Sequence, residues 1–280
     1  PRALNMHENF QFWHTLLTLN NIEVITSSRS TFRMYEKGLN TVMADNICFP
    51  AKITHGHIFD LIDKKADRIL FPYVIYEQIE PQSNNSYNCP IVSGYSDVIR
   101  SSINPEGKYG IPLDAPVINF NDKGLLKKAC KQYLKTVLGD CFTENNFNVS
   151  FKAALDAKAK YEQTLHKKAV HILEKAKEEN RFIILLAGRP YHNDQLIQHK
   201  ISEIITSFGV DVITEDLLRG SDKKIEDSHL IPQWSYMNRI MKAAQWVANS
   251  DEHVYFVQIT SFGCGPDSFI TDELSDLLHR

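Results

Sequence analysis

The feature that most limits how this chain can fold is an unbroken apolar run over residues 182–187, which ends at Gly188. A short segment that is apolar on both faces is typical of a central strand in a parallel sheet, because helices cover both sides of such a sheet. Helical and strand patterns alternate along the rest of the chain, as they do in α/β proteins. The sequence therefore predicts an α/β fold of two Rossmann-like units, with mostly parallel sheets flanked by helices.

Periodicity and turn residues set the predicted elements. Strands are predicted at residues 22–26, 68–71, 73–76, 117–120, 181–187, 210–214 and 254–259, and helices at 10–19, 50–64, 90–102, 124–138, 151–179, 194–208, 233–247 and from 267 onward. Residues 80–88 are polar and predicted to be a loop. The long helical run 151–179 suits a bridge, so we predict one domain at 1–145 and a second at 146–280. The second is expected to be truncated, because the chain stops in a helical pattern without a cap.

Composition and charge exclude several classes of protein. Of the 280 residues, 43% are hydrophobic and 23% are charged, as in ordinary globular proteins. A net charge of −3 gives no general attraction to nucleic acid or anionic membranes, and no apolar run is long enough to span a bilayer. We therefore expect neither as a partner. Five cysteines without disulfide spacing, and a start without a signal-peptide pattern, favour the cytoplasm.

Three of the five cysteines stand just before a proline that can open a helix: Cys48, Cys89 and Cys264. Free N–H groups and the dipole at a helix N-terminus stabilise a thiolate, and three converging thiolates make a soft-metal or iron–sulfur site. Their wide spacing leaves convergence open, and a lone thiol also packs as a small apolar group. Cys130, within a lysine-rich helix, and Cys141, just after a helix end, are expected not to be ligands.

Four other residues are candidates for contact with a substrate. Lys52 and His55 are three apart, so they share a helix face and could present a cation and an imidazole to an anion. The alternative is a solvated face with a capping histidine. Arg189 follows Gly188 at the end of the strongest strand, where a helix start makes a fair anion site. His192 could reach the same site or could simply be solvated.

The end of the next predicted strand carries two neighbouring carboxylates. Glu215 and Asp216 could bind a cation or act as a base, or they could cap the loop that follows. The turn at Gly188 has one glycine and matches neither nucleotide-binding glycine motif. No nucleophile elbow is visible in the sequence. The catalytic residues therefore stay unassigned at this point.

Five segments together resemble a known family: residues 1–6, 48–57, 87–92, 188–192 and 261–265. They resemble the domain of unknown function found with 2-hydroxyacyl-CoA dehydratase activases, and the resemblance covers essentially the whole chain. It extends distantly to the dehydratase subunits and to double-cubane cluster proteins. The resemblance implies that Cys48, Cys89 and Cys264 hold an iron–sulfur cluster of the 4Fe–4S type. It also implies an activase-type ATPase as partner, within the same parent chain.

The leading functional expectation follows from that resemblance. The chain would be an iron–sulfur protein like the dehydratase or reductase component of ATP-dependent 2-hydroxyacyl-CoA dehydratase systems, accepting low-potential electrons from the ATPase. Lys52, His55 and Arg189 would support an anionic or CoA-type substrate. Whether the chain is itself part of such a reductase or lyase stays open. The alternatives are a structural or regulatory module with a zinc or empty thiol site, and a CoA- or nucleotide-binding domain with incidental cysteines.

Overall fold

The computed structural model describes residues 1–221, 233–250, 253–261 and 263–279. The chain divides into two compact units. The first unit comprises Pro1–Glu77 and Asn88–Tyr161, and the second comprises Gln78–Tyr87 and Glu162–Arg280. The boundary predicted near residue 145 lies at the start of one continuous helix, α7 (Glu144–Glu178), whereas the division of the structure falls inside that helix.

Helices dominate the first unit, and its strands are short. The helices are α1 (Met6–Thr18), α2 (Phe32–Leu39), α3 (Phe49–Asp63), α4 (Pro90–Ser102), α5 (Pro105–Tyr109) and α6 (Lys123–Leu138), followed by the first part of α7. The strands are β1 (Ile69–Leu70), β2 (Tyr73–Tyr76), β3 (Leu113–Asp114) and β4 (Val117–Asn119). Phe12, Leu16, Val74, Ile118 and Leu134 are fully buried and form part of the core.

The first unit contains two parallel pairs of strands, β1 with β3 and β2 with β4. Pro72 separates β1 from β2 because proline has no N–H to give to the ladder. The pairing continues on both sides of it: the N–H of Phe71 donates to the Asp114 carbonyl at 2.8 Å, and that of Tyr73 to the Pro116 carbonyl at 3.0 Å. The predicted interruption at this proline is therefore confirmed.

The second unit is built on a three-stranded parallel sheet. Its strands are β5 (Ile183–Ala187), β6 (Asp211–Ile213) and β7 (Val254–Gln258), and its helices after α7 are α8 (Ile201–Ser207), α9 (Ser235–Ala248) and α10 (Gly265–Leu278). The apolar run forms the central strand, with β6 on one side and β7 on the other. The prediction of a central parallel strand is confirmed, and so is the α/β class with parallel sheets and flanking helices.

Two predicted elements differ in the structure, and helices α2 and α5 and strand β3 were not predicted. Residues 22–26 form no strand, because the segment pairs with no strand of the described chain, although its positions alternate between half-buried and exposed as in a strand. Helix α2 was not predicted, although its N-cap Thr31 accepts the Met34 N–H through Oγ1 at 3.2 Å. The helix predicted at 194–208 is only α8, because His199 and Lys200 have positive φ values of 52° and 57° and break it.

Within the described ranges, no helix combines the length and the apolar character needed to cross a membrane.

Candidate functional site

The three cysteines singled out by sequence each stand at the N-cap of a helix. Cys48 precedes α3, Cys89 precedes α4 and Cys264 precedes α10, and each helix has a proline in its first turn. All are free thiols. The prediction that these side chains lie at helix N-termini is confirmed, because proline at the first helical positions is a local signal that holds whatever the surrounding fold.

The sulfurs of Cys89 and Cys264 each accept a hydrogen bond from the protein. Cys89 Sγ accepts the backbone N–H of Val92 at 3.5 Å, as an N-cap side chain does. Cys264 Sγ accepts an N–H from Arg189 Nη2, also at 3.5 Å. Burial nevertheless raises the pKa of Cys264 to about 12, because it disfavours the thiolate more than the guanidinium favours it. Cys264 is therefore a neutral thiol at physiological pH, and metal binding would release its proton.

The other two cysteines have different surroundings. Cys130 is fully buried in the middle of α6, and burial raises the pKa of its thiol. Cys141 is exposed at the end of a 3-10 helix, Gly139–Cys141. Neither precedes a helix in the way that the three N-cap cysteines do.

In the second unit, two motifs that follow neighbouring strands come together. The turn after β5 carries Arg189 and His192, and the turn after β7 carries Ser261, Cys264 and Asp267; Phe262 lies outside the described residues. The carboxyl ends of adjacent parallel strands share one edge of a sheet, which is where ligands bind in such sheets. Ser261 and Asp267 were not predicted as site residues, because the two motifs are about 75 residues apart and no local pattern joins them.

The Arg189 guanidinium is neutralised by a buried carboxylate. Asp267 Oδ1 accepts N–H groups from Nη2 at 2.6 Å and from Nε at 3.1 Å. The two side chains are only 2% and 1% exposed, so this is an ion pair within the core. The expectation that Arg189 offers an unpaired cation to an anion is therefore wrong, because Asp267 already pairs with it.

His192 is buried rather than solvated. Its Nδ1 accepts the Arg189 N–H at 3.0 Å, which assigns the ring proton to Nε2, and Nε2 donates to Ser261 Oγ at 2.9 Å. Burial lowers the pKa of His192 to about 4, so the ring is neutral. In this tautomer the ring cannot take a proton from Ser261, and the pair is a structural link between the two turns and not a nucleophile with its base.

Gly188 and Glu215 hold the turn after β5. A Cβ at position 188 would lie 2.6 Å from His192 Nδ1, so the turn requires glycine. The Gly188 N–H donates to Glu215 Oε2 at 3.2 Å. Burial, together with the neighbouring Asp216 carboxylate, raises the pKa of Glu215 to about 8. Asp216 itself pairs with Arg219 at 2.9 Å. Both carboxylates therefore bind groups of the protein's own loops, as the alternative of a loop-capping role predicted.

In the first unit, the candidate pair Lys52 and His55 does not act together. His55 is fully buried, with Nδ1 2.7 Å from Thr41 Oγ1 and Nε2 2.9 Å from the Tyr95 hydroxyl. Burial lowers its pKa to about 4, so the imidazole is neutral. Lys52 Nζ donates instead to the Asp45 carbonyl at 2.7 Å. The expected joint cationic face, and its alternative of a capping histidine, are both absent at this position.

A buried carboxylate that was not predicted contacts Asn88, the residue before Cys89. Glu77 follows β2 and is fully buried. Its Oε1 accepts amide N–H groups from Asn9 at 3.0 Å and from Asn88 at 3.2 Å. Asn88 also donates to the Val74 carbonyl at 3.0 Å. Glu77 therefore fixes the residue that directly precedes Cys89. No local pattern reveals this role, since it depends on three separate segments.

A cleft of about 980 Å³ also opens in the first unit. Its lining includes Trp13 and Tyr133 as well as the basic residues Lys65 and Arg68, and it contains none of the residues predicted as site residues. The cleft borders the start of β1, whereas ligands in parallel sheets bind beyond the carboxyl ends of the strands. The candidate residues are therefore the N-cap cysteines and their supports, Cys48 and Cys89 in the first unit and Cys264 in the second.

Free thiols are ligands of the kind that an iron–sulfur cluster takes, and of the three, Cys89 accepts a first-turn N–H of the helix that it precedes. Among the described residues, no group of three or more His, Cys, Asp or Glu side chains forms a preassembled metal site.

Comparison with known proteins gives one match. A family model described as a CoA enzyme activase uncharacterised domain matches residues 1–218. This range includes Cys48, Cys89 and the turn with Arg189, and it ends before Cys264. No curated protein and no solved structure matches the chain.

Proposed function

The chain belongs to the family of CoA enzyme activase uncharacterised domains, and from this premise we propose that it is an iron–sulfur protein that receives low-potential electrons from an activase-type ATPase. The proposal makes the chain a component of an ATP-dependent reductase or 2-hydroxyacyl-CoA dehydratase-like system. Its support in the structure is one observation: three cysteines, far apart in sequence, repeat the same N-cap placement.

In this proposal, Cys48, Cys89 and Cys264 supply the thiolate ligands. A 4Fe–4S cluster on three thiolates supplies one-electron transfer and an iron with an open position. The protein's own contribution is electrostatic and positional. Free N–H groups lie at the start of each of the three helices, and Arg189 donates to Cys264. These donors would stabilise the negative charge of the cysteine thiolates.

The proposed partner and substrate rest on the family description. An activase-type ATPase, within the same parent chain, is the proposed electron donor, and an anionic or CoA-type compound is the proposed substrate. Of the four substrate candidates, Lys52 is the one whose charge is not paired with a carboxylate of the described residues. A reducing compartment such as the cytoplasm suits the five free thiols.

We also propose that each unit is a shortened Rossmann-like fold. The support is that all strand pairs in the described residues are parallel and connected through helices. A crystal structure in which β6 or β7 gains an antiparallel neighbour would contradict this assignment.

The test of the cluster is an anaerobic preparation analysed for iron and acid-labile sulfide. Cys48→Ser, Cys89→Ser and Cys264→Ser should each lower the iron content to less than about half of the wild-type value, because each removes one thiolate. Cys130→Ser and Cys141→Ser are the matched controls and should leave it unchanged. Stoichiometric zinc without sulfide, or a Cys130→Ser protein as colourless as Cys264→Ser, would overturn the proposal.

A further inference from the structure

We infer that Arg189 and Asp267 are positioning residues that hold Cys264 in the place from which its sulfur binds a ligand. The identity of that ligand rests on the proposed function, whereas the positioning rests on the geometry of the second unit alone. Arg189 Nη2 donates to Cys264 Sγ at 3.5 Å and to Asp267 Oδ1 at 2.6 Å. One nitrogen thus joins the sulfur to a carboxylate.

The carboxylate fixes the orientation of the guanidinium. Asp267 lies in the first turn of α10, the helix that Cys264 caps, and its Oδ1 also accepts the Nε N–H at 3.1 Å. Two bonds to one oxygen, with both side chains almost fully buried, leave the planar guanidinium no freedom to rotate. Helix α10, which carries Asp267 and is capped by Cys264, therefore sets the direction from which Arg189 donates to the sulfur.

The turn that carries Cys264 is held from a second direction. The Cys264 N–H donates to the Ser261 carbonyl at 2.9 Å, and the Ser261 N–H donates to Asp267 Oδ2 at 3.4 Å. His192 Nε2 donates to Ser261 Oγ. Asp267 thus accepts from both Ser261 and Arg189, and it joins the turn after β7 to the turn after β5. The position of the thiol depends on residues about 75 places earlier in the chain.

A lysine at position 189 would keep the positive charge but would not hold Cys264 in position. Lysine presents a compact ammonium and not a planar fork, so it cannot hold one orientation between Asp267 and Cys264. The substitution Arg189→Lys therefore separates positioning from charge. Arg181→Lys is the matched control, because Arg181 pairs with Asp211 at the opposite end of β5.

The experiment has one readout without metal and one with it. In metal-free protein labelled with ¹³C at the cysteine Cβ, Arg189→Lys and Asp267→Asn should shift or split the Cys264 signal and leave the Cys89 signal in place. In the anaerobically loaded protein, Arg189→Met should give a more negative reduction potential than the wild type, because it removes a cation near a sulfur ligand. Arg181→Lys should change neither readout.

The outcomes separate the two proposals. If the wild type binds no iron and sulfide, the proposed function fails, and the Cys264 signal alone still decides the positioning. If iron binds and both readouts are the same in Arg189→Lys, Arg189→Met and the wild type, the positioning is overturned. A single substitution leaves one buried charge alone and could unfold the chain, so Arg189→Met/Asp267→Leu removes both charges. An unchanged Cys264 signal in this double variant also overturns the inference.

Discussion

At the scale of single residues, burial decides the charge of three histidines. It lowers the pKa of His55 to about 4, of His57 to about 3 and of His192 to about 4. His57 has Ser27 Oγ 2.8 Å from Nδ1 and Ser30 Oγ 3.0 Å from Nε2. These neutral rings join segments through both nitrogens, so they contribute to the fold as hydrogen-bonding groups and not as cations.

We predict that His55 makes the protein less stable as the pH falls below about 6.5. Above that value the His55 ring is neutral in both the folded and the unfolded state. Between pH 6.5 and about 4, the ring is protonated in the unfolded chain but stays neutral in the folded protein. The free energy of unfolding therefore decreases by up to about 1.4 kcal/mol per pH unit in this window. Urea unfolding of the wild type and His55→Gln at pH 7 and pH 5 measures it.

The glutamine keeps polar atoms at the site but does not titrate. The stability advantage of the wild type over His55→Gln should therefore be smaller at pH 5 than at pH 7. An advantage that stays the same at both pH values would show that the buried ring does not have the lowered pKa described above.

At the scale of elements, α2 and α3 cross at a contact that only glycine permits. A Cβ at Gly38 would lie 2.5 Å from the Gly56 nitrogen, and a Cβ at Gly56 would lie 2.2 Å from the Met34 carbonyl oxygen. Both positions meet backbone, which cannot move aside as a long side chain can. Cys48 is the N-cap of α3, so this crossing also fixes the axis of the helix that presents the first thiol.

We predict that Gly56→Ala lowers the free energy of unfolding by about 1–3 kcal/mol or more, because the added methyl group forces the two helices apart. Gly94→Ala on α4 is the matched control: a Cβ there meets nothing within 4 Å. The control should be neutral or more stable by up to about 1 kcal/mol, since alanine favours a helix over glycine. Chemical denaturation of both variants gives the comparison, and equal losses in both would contradict it.

Local signals in the sequence predicted local structure. The prolines after Cys48, Cys89 and Cys264 were enough to place three helix starts, and the apolar run was enough to place β5. Contacts across long separations were not predictable from one sequence. The partner of Arg189 lies 78 residues away, and a carboxylate in a helix start gives no sign that it is buried. His55 was expected on an exposed face, but α3 is buried around most of its circumference.

At the scale of the whole molecule, the proposed function predicts a dependence on ATP that the chain cannot provide itself. The sequence has no phosphate-binding glycine loop, so the chain alone should not hydrolyse ATP. A low-potential electron acceptor needs an energy source, which a partner ATPase can supply by changing conformation between nucleotide states. We therefore expect a physiological donor to reduce the loaded protein only when the activase-type ATPase and ATP are both present.

The visible spectrum of the loaded protein follows that reduction over time. Samples contain the donor and the ATPase, with ATP, without ATP or with a non-hydrolysable analogue. Rapid bleaching only with ATP is the expected result. Equal rates in all three samples would remove the gating role and leave a simple electron carrier.

The chain leaves the first unit after Glu77, passes through the second unit over the ten residues Gln78–Tyr87, and returns to the first unit at Asn88, close to the point where it left. The Asn88 N–H donates to the Ile75 carbonyl at 3.0 Å, and the Asn88 amide reaches Glu77. Within the second unit, the same excursion is bridged to Trp234 through Tyr87. The chain re-enters the first unit at Asn88, the residue directly before Cys89. No single cut divides the chain into its two units, because the chain crosses between them three times, and one of these crossings lies directly before the helix that Cys89 precedes.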